Sequence, residues 1–199
     1  MLLSILLGIT GVLLFLYVFW KRLRDDYSSD IIFQVSTTVL LGNALGLVVA
    51  KIFLPSYFFW LSMLGILIGF LLMFFKFKLR LFETLEAIIL AGLPMISLMF
   101  FKDSVINSSL YSFLGFVGTL VLIFISYWLD LNYKSFNWYK SGRIGFAGLL
   151  SGAVFFMIRS IVAGFGISVV SFTGTIDIVL SGSVFLILVG LLVYLGRSK

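Results

Sequence analysis

The sequence predicts an all-α protein that crosses a membrane seven times, and two observations lead to that prediction. Hydrophobic residues make up 62% of the 199 residues and charged residues only 11%, with a mean hydropathy of +1.23. A soluble domain of this length could not hide so much apolar surface from water. Long apolar runs also alternate with short Lys/Arg clusters, which is typical of spanning helices joined by short loops.

Each apolar run approaches the ~20 residues that a spanning helix needs. The run that starts the chain is followed, not preceded, by basic residues, so it predicts a first transmembrane helix and not a cleavable signal peptide. No repeat or linker divides the chain, and we expect a single membrane domain over residues 1–199. The seven predicted helices are Leu2 to Trp20, Ile31 to Leu54, Tyr57 to Phe75, Leu81 to Phe101, Leu110 to Leu129, Ile144 to Phe165 and Ile176 to Leu195.

Two of the predicted helices contain residues that are unusual for a helix surrounded by lipid. The second contains polar side chains that favour contact with protein over lipid on part of its surface. The fourth contains Pro94, which predicts a kink. After it, the polar residues between Phe101 and Ser109, including Asp103 and Asn107, predict a loop.

The basic residues predict the orientation of the helices. Of the fourteen basic residues, eleven lie on one side of the predicted helices. Only Lys51 and Lys102 lie on the other side, and Arg159 lies within a helix. An excess of Lys and Arg in short loops marks the cytoplasmic side. We therefore expect the amino terminus outside and the carboxyl terminus in the cytoplasm, as seven helices require. The eleven residues on the cytoplasmic side are Lys21, Arg22, Arg24, Lys76, Lys78, Arg80, Lys134, Lys140, Arg143, Arg197 and Lys199.

The composition also restricts the chemistry. The chain has neither histidine nor cysteine, which excludes disulfides, thiolate chemistry and the usual zinc ligands. No phosphate-binding loop, dinucleotide fingerprint or nucleophile elbow is present, and we expect no cofactor and no metal. The net charge of +6 lies in short loops, which indicates contact with anionic lipid headgroups and not with nucleic acid.

Arg159 is the most informative single residue. It lies roughly 24 Å from the cytoplasmic end of the sixth helix at 1.5 Å per residue, in the outer half of the bilayer. An arginine there costs about 2.5–3.5 kcal/mol unless it is paired or reaches the headgroups. It either extends to the outer headgroups or holds a lipid phosphate, for which its planar fork is suited.

The acidic residues have simpler interpretations. Glu83 and Glu86 lie three residues apart on one face near the start of the fourth helix, which indicates a solvated helix start. A paired-carboxylate acid/base site is the alternative. Asp177 is expected to interact with the amino-terminal dipole of the seventh helix.

Small residues are spaced for helix packing. Gly42 and Gly46 lie four residues apart in the second helix, and Gly65 and Gly69 do so in the third. This spacing lets helix backbones approach closely.

The order of several short motifs resembles one family, the bacterial prolipoprotein diacylglyceryl transferases. Residues 62–69 have the sequence S-M-L-G-I-L-I-G where the family has S-F-H-G-G-L-I-G. Residues 106–112 have I-N-S-S-L-Y-S where the family has H-P-S-Q-L-Y-E, which keeps Ser108 and Tyr111.

The later motifs match in part. Glu83 and Gly92 match an acid and the glycine nine residues after it, and Gly145 and Arg159 match a glycine and the arginine fourteen residues after it. Leu180-Ser181 retains the end of a Q-x-L-S motif. The resemblance covers nearly the whole chain.

This resemblance implies a seven-helix bacterial inner-membrane protein of the same orientation. Members of the family move diacylglyceryl from phosphatidylglycerol to a cysteine thiol of a prolipoprotein. Here the histidine, arginine and glutamate of the motifs are replaced by Leu64, Ser97 and Ala163. The resemblance therefore implies a diverged relative that binds an anionic phospholipid, such as phosphatidylglycerol, or a membrane partner protein, with catalysis doubtful.

The predicted lipid site has Arg159, Tyr111 and Ser108 around the phosphate. The glycines at 65, 69, 92 and 145 are expected to serve helix packing or to leave room for acyl chains, in a cavity walled by the third, fifth and sixth helices. Two alternatives stay open: a minimal active transferase with relocated catalytic residues such as Asp103 or Asp177, and a small permease, for which a buried polar path is expected.

Overall fold

The computed structural model describes residues 2–136, 138–165 and 174–197. Each of its seven long helices has the length and composition needed to cross a membrane, which confirms the predicted all-helical class and the number of helices. The helices are α1 (Leu2–Leu23), α2 (Ser29–Phe53), α3 (Phe58–Phe77), α4 (Leu81–Asn107), α5 (Leu110–Asn132), α6 (Phe146–Gly164) and α7 (Thr175–Arg197).

The seven helices alternate in direction along the chain. We call the end of the bundle where α1 ends and α2 begins the basic end, because Lys21, Lys76 and Arg143 lie there. The other end of the bundle is called the opposite end. Short 3₁₀ turns, Pro55–Tyr57 and Tyr133–Ser135, lie between α2 and α3 and after α5.

Helix α4 occupies the centre of the bundle. It packs against α1, α5 and α6, while α2 pairs with α3 and α6 pairs with α7. Together, α4 and α6 have the largest shares of buried residues among the seven spans, and many large apolar side chains on the outer helices are exposed. Such exposed apolar surface is expected where a helix faces lipid.

Three groups of apolar side chains hold the helices together. Phe15 and Phe19 of α1 stack with ring centroids 5.7 Å apart and pack against α2, α3 and α4. A second group joins α6 and α7 near Phe146, and a third joins α3 through α6 around Phe155.

The predicted loop between Phe101 and Ser109 is wrong, because α4 continues to Asn107. Asp103 accepts a hydrogen bond of 2.7 Å from the Asn107 amide one helical turn later, so these polar residues stabilise the helix. The turn to α5 is made by Ser108, at φ 49°, and by Ser109, whose hydroxyl accepts from the Ser112 amide. Helix α4 also continues through Pro94.

Candidate functional site

An apolar cavity of about 230 Å³ lies inside the bundle between α2, α3, α4 and α6, with Phe15 of α1 at its edge. Its walls are almost entirely apolar, including Ile66, Leu93 and Phe155. The polar exceptions are Asn43 and Ser62, and the Ser62 hydroxyl donates a hydrogen bond to the Asn43 side-chain oxygen. The cavity therefore suits a hydrocarbon chain with at most one or two polar atoms.

A second cavity, of about 690 Å³, adjoins the first toward the opposite end. The two share the lining residues Leu47, Phe58, Met95 and Met99. This second cavity lies mainly between α1 and α4, and we call it the mouth. Its volume lies within the ~300–1,000 Å³ that is common for ligand pockets.

Polar side chains at the end of α4 line the mouth. The Asp103 carboxylate accepts from the Asn107 amide and from the Ser112 hydroxyl of α5, so its oxygens are already engaged. Beside it, Lys102 has no carboxylate within 4.0 Å in the described part of the chain. The mouth thus presents an ammonium group next to a hydrogen-bonded carboxylate.

Arg159 does not face this space but lies in a buried ion pair. Its side chain is 2% exposed and that of Asp177 is 0% exposed, with 2.6 Å between the Nη2 and Oδ1 atoms. Its Nε also donates to the Ser181 hydroxyl at 3.1 Å. The guanidinium carbon lies 3.7 Å from the centroid of the Phe59 ring, a cation–π contact.

The ion pair links three helices. The Trp60 indole N–H of α3 donates to the same Asp177 oxygen at 2.6 Å, so α6, α7 and α3 meet at one carboxylate. The alternative in which Arg159 extends to the headgroups is therefore wrong, because the side chain is buried and paired with Asp177. Asp177 does lie in the first turn of α7, as expected, but its carboxylate also pairs with Arg159. A phosphate contact at Arg159 stays a prediction.

The glycines predicted to leave space for acyl chains have different surroundings. A Cβ atom at Gly65 would lie 2.0 Å from the Gly42 carbonyl oxygen, and one at Gly46 would lie 2.2 Å from that of Leu61. A Cβ at Gly69 would lie 2.8 Å from the Thr38 carbonyl oxygen. Gly65 and Gly69 therefore bring the backbones of α2 and α3 together and leave no room for a lipid, a correction to the predicted cavity.

The other two predicted glycines differ from each other. Gly92 lines the cavity, and a Cβ there would meet nothing within 4 Å. Gly145 has a φ of 77°, a conformation that favours glycine, and precedes the first residue of α6. Gly145 lies at the basic end, whereas the mouth lies at the opposite end.

Two further predicted lipid contacts lie outside the cavity. Tyr111 is 52% exposed at the start of α5, and Ser108 is exposed in the turn before it. Neither lines the cavity or the mouth, and α5 contributes no wall to either. The predicted wall of α3, α5 and α6 is thus replaced by one of α2, α3, α4 and α6.

The three substituted motif positions do not share one environment. Leu64 is 52% exposed on α3, whereas Ser97 and Ala163 are buried. The Ser97 hydroxyl is buried without a hydrogen-bond partner among the described residues.

The basic end contains a network of charges that sequence reasoning missed. Arg22 of α1 lies 2.8 Å from the Glu86 carboxylate of α4 and 2.7 Å from the Asp130 carboxylate of α5. Arg143, in the loop before α6, binds both oxygens of Asp130 at 2.9 and 2.6 Å. Hydrogen bonding to Asp130 raises the pKa of Arg143, which therefore stays charged.

Glu86 is the centre of this network. It is 1% exposed and accepts from the backbone amides of Gly145 at 2.9 Å and Gly148 at 3.1 Å. A carboxylate is stabilised at a helix amino terminus, here that of α6. A Cβ at Gly148 would lie 2.5 Å from the Glu86 Cγ atom, so glycine is needed for this approach.

The expected solvated helix start at Glu83 and Glu86 is therefore wrong, because both side chains are buried. Glu83 pairs with Arg80, three residues earlier in the chain, at 3.0 Å. The partners of Glu86 are distant in the sequence, and no local pattern predicts them.

In the described part of the chain, no group of three or more acidic side chains is arranged to hold a metal ion. Compared with known proteins, the chain matches no family model, no curated protein and no solved structure.

Proposed function

We propose that this multi-pass membrane protein binds one phospholipid in the cavity and its mouth, and that it does not catalyse diacylglyceryl transfer. One observation carries the proposal: an apolar cavity continues into a larger, mainly apolar mouth that has polar side chains, Lys102 among them, at the end of α4. An acyl chain fits the apolar part, and a phosphodiester fits the ammonium group at the mouth.

The chemistry of the mouth favours an anionic headgroup with hydroxyls, as in phosphatidylglycerol. Lys102 supplies the positive charge for the phosphate. Asp103 and Asn107 add acceptors and donors for hydroxyl groups. This ligand is also the lipid substrate of the family that the sequence resembles.

The proposed orientation places the basic end in the cytoplasm of a bacterial inner membrane. The support is the excess of Lys and Arg at that end. The mouth then opens toward the outer leaflet, from which the lipid would enter.

The absence of catalysis follows from the residue types available. Thiol alkylation needs a base for the thiol proton and a group that stabilises the phosphate as it leaves. The chain has no histidine, and Leu64 faces outward at the motif position where the family has one. Asp103, a carboxylate in the mouth, is the observation that favours the competing function of a minimal transferase.

The lipid site can be tested by filling the cavity. Gly92 lines the cavity, and a Cβ added there would meet nothing within 4 Å, so the side chain of Gly92→Leu should take up part of the cavity. Gly190→Leu on α7 is the matched control. A Cβ added at Gly190 also meets nothing within 4 Å, and Gly190 lines neither the cavity nor the mouth. Native mass spectrometry should show loss of a bound phosphatidylglycerol in the first variant only.

The headgroup contact is tested by a second pair of variants. Lys102→Gln should weaken retention of phosphatidylglycerol more than that of phosphatidylcholine. Lys51→Gln, an exposed lysine at the same end, should have no effect. Equal lipid retention in all four variants would refute the proposed site.

Catalysis is tested with purified protein, phosphatidylglycerol and a prolipoprotein peptide. We expect no lipidated peptide. Product formation that disappears in Asp103→Asn would support the minimal transferase instead.

A further inference from the structure

A groove at the basic end combines positive charge with an apolar floor. Helices α1 and α5 each pack on α4 and leave about 230 Å³ between them. The part nearest the helix ends is lined by Lys21, Arg22, Arg143 and Asp130. This groove is separate from the mouth, which lies at the opposite end.

The deeper part of the groove is apolar. Leu90, Leu93 and Pro94 of α4 form its floor, and Ile123 of α5 forms part of one wall. Two tyrosines, Tyr17 and Tyr127, stand at its sides and are 56% and 62% exposed. Tyrosine at such a position is typical of the level of lipid headgroups.

The charges around the groove are not balanced. Three basic side chains line it, and the carboxylates that pair with them are Asp130 and, behind Arg22, Glu86. One positive charge is in excess. It belongs to Lys21, which is exposed, lies near the Tyr17 ring and has no carboxylate within 4.0 Å among the described residues.

We propose that this groove binds an anionic phospholipid from the leaflet at the basic end. The phosphate lies between Lys21 and the two arginines, and an acyl chain lies along the α4 floor. Basic pockets between membrane helices bind the headgroups of anionic lipids in this way. The apolar floor distinguishes a lipid from free phosphate, which would use the charged part alone.

The two arginines are already oriented for this role. Arg22 is held by Glu86 and Asp130, and Arg143 is held by both Asp130 oxygens, so neither side chain needs to be ordered on binding. Less conformational entropy is then lost when a lipid binds. The buried network that fixes α1, α4, α5 and α6 would thus also shape the lipid site.

The test uses the full chain in detergent, titrated with short-chain phosphatidylglycerol and followed by native mass spectrometry. Gly92→Leu serves as the background, because it removes the lipid of the proposed opposite-end site. One bound lipid is expected to remain. Lys21→Gln in this background should weaken its binding about fivefold, the effect of ~1 kcal/mol for one lysine near an anionic surface.

Lys76→Gln is the matched control, since Lys76 is an exposed lysine at the same end that does not line the groove. It should bind as the background does. Excess inorganic phosphate and phosphatidylcholine should not displace the lipid. Equal binding in the Lys21 and Lys76 variants, or displacement by phosphate, would overturn the proposal.

Photo-crosslinking locates the lipid independently. A phosphatidylglycerol with a photoreactive headgroup should label peptides of both α1 and α5, and labelling confined to other helices would refute the groove. The two lipid proposals fail separately. If Gly92→Leu does not change lipid binding, only the proposed site at the opposite end is refuted. If Lys21→Gln does not change it, only the proposed site at the basic end is refuted.

Discussion

Replacing Arg159 by methionine should destabilise the protein, although the substitution puts an apolar residue into an apolar segment. The Asp177 side chain is 0% exposed, and without Arg159 its charge would lie buried beside the Trp60 indole. Removing one member of a buried pair costs about 3–5 kcal/mol. An arginine that merely reached the headgroups would give the opposite result, because methionine is favourable in lipid.

A double-mutant cycle makes this reasoning quantitative. Asp177→Asn removes the charge and keeps an oxygen for Trp60, and alone it should also cost about 3–5 kcal/mol, because the buried Arg159 charge loses its carboxylate partner. The double variant with Arg159→Met buries no charge, so its loss should be far smaller than the sum of the two single losses. Unfolding in dodecyl sulfate mixtures, followed by circular dichroism, measures all four proteins.

The control for these variants is an exposed ion pair, that of Arg24 with Asp25. Arg24→Met removes a pair with Asp25 whose side chains are 52% and 78% exposed, and it should cost at most about 1 kcal/mol. If the losses from the Arg159 and Asp177 variants simply add, the two charges are not coupled and the buried pair does not stabilise the bundle.

Three further predictions use comparable measurements. Glu86→Ala should cost about 3–5 kcal/mol, because it leaves the Gly145 and Gly148 amides and Arg22 without this carboxylate. Glu83→Ala should cost less, because the partner of Glu83 is the exposed Arg80, and similar losses would contradict the role given to Glu86. Gly65→Ala should cost about 1–3 kcal/mol through overpacking of α2 on α3, while Gly118→Ala, with nothing within 4 Å, should be neutral or stabilising by up to ~1 kcal/mol in the same denaturation experiment. A carboxyl-terminal reporter that is active only outside the cytoplasm should stay silent, and activity would reverse the proposed orientation.

The helices could be predicted from the sequence because their signals are local. A run of about 20 apolar residues must form a helix in lipid to satisfy its backbone, whatever its neighbours are. The predicted number and approximate positions of the seven helices are confirmed. The error at the end of α4 arose where the local signal is weak: Lys102, Asp103 and Asn107 are polar enough for a loop, yet a helix can continue beyond the apolar region.

The glycine spacing predicted close packing but not its partner. The four-residue interval in α2 and in α3 is visible in the sequence, and the structure places the two sets against each other. The sequence alone equally allowed Gly65 to face a lipid. Only the position of α2 decides that its neighbour is the Gly42 carbonyl group.

The cavity depends on five helices, and no segment of the chain encodes it alone. A motif in the sequence predicts a role for Gly92, whereas the sequence marks Lys102 at the mouth only as one of two basic residues on that side. The mouth is also lined by Leu47 of α2 and Phe58 of α3. A cavity is the space that packing leaves, so it appears only when all its walls are in place.

Seven apolar helices with most of the positive charge at one end can be predicted from the sequence alone. Which charges are neutralised by a partner depends on the tertiary structure. Arg159 looked available and is paired with Asp177, eighteen positions away; Glu86 looked solvated and lies on the amides of Gly145 and Gly148. The physical reason is that hydropathy and helix formation depend on neighbours along the chain, whereas a buried charge depends on whichever helix packs beside it.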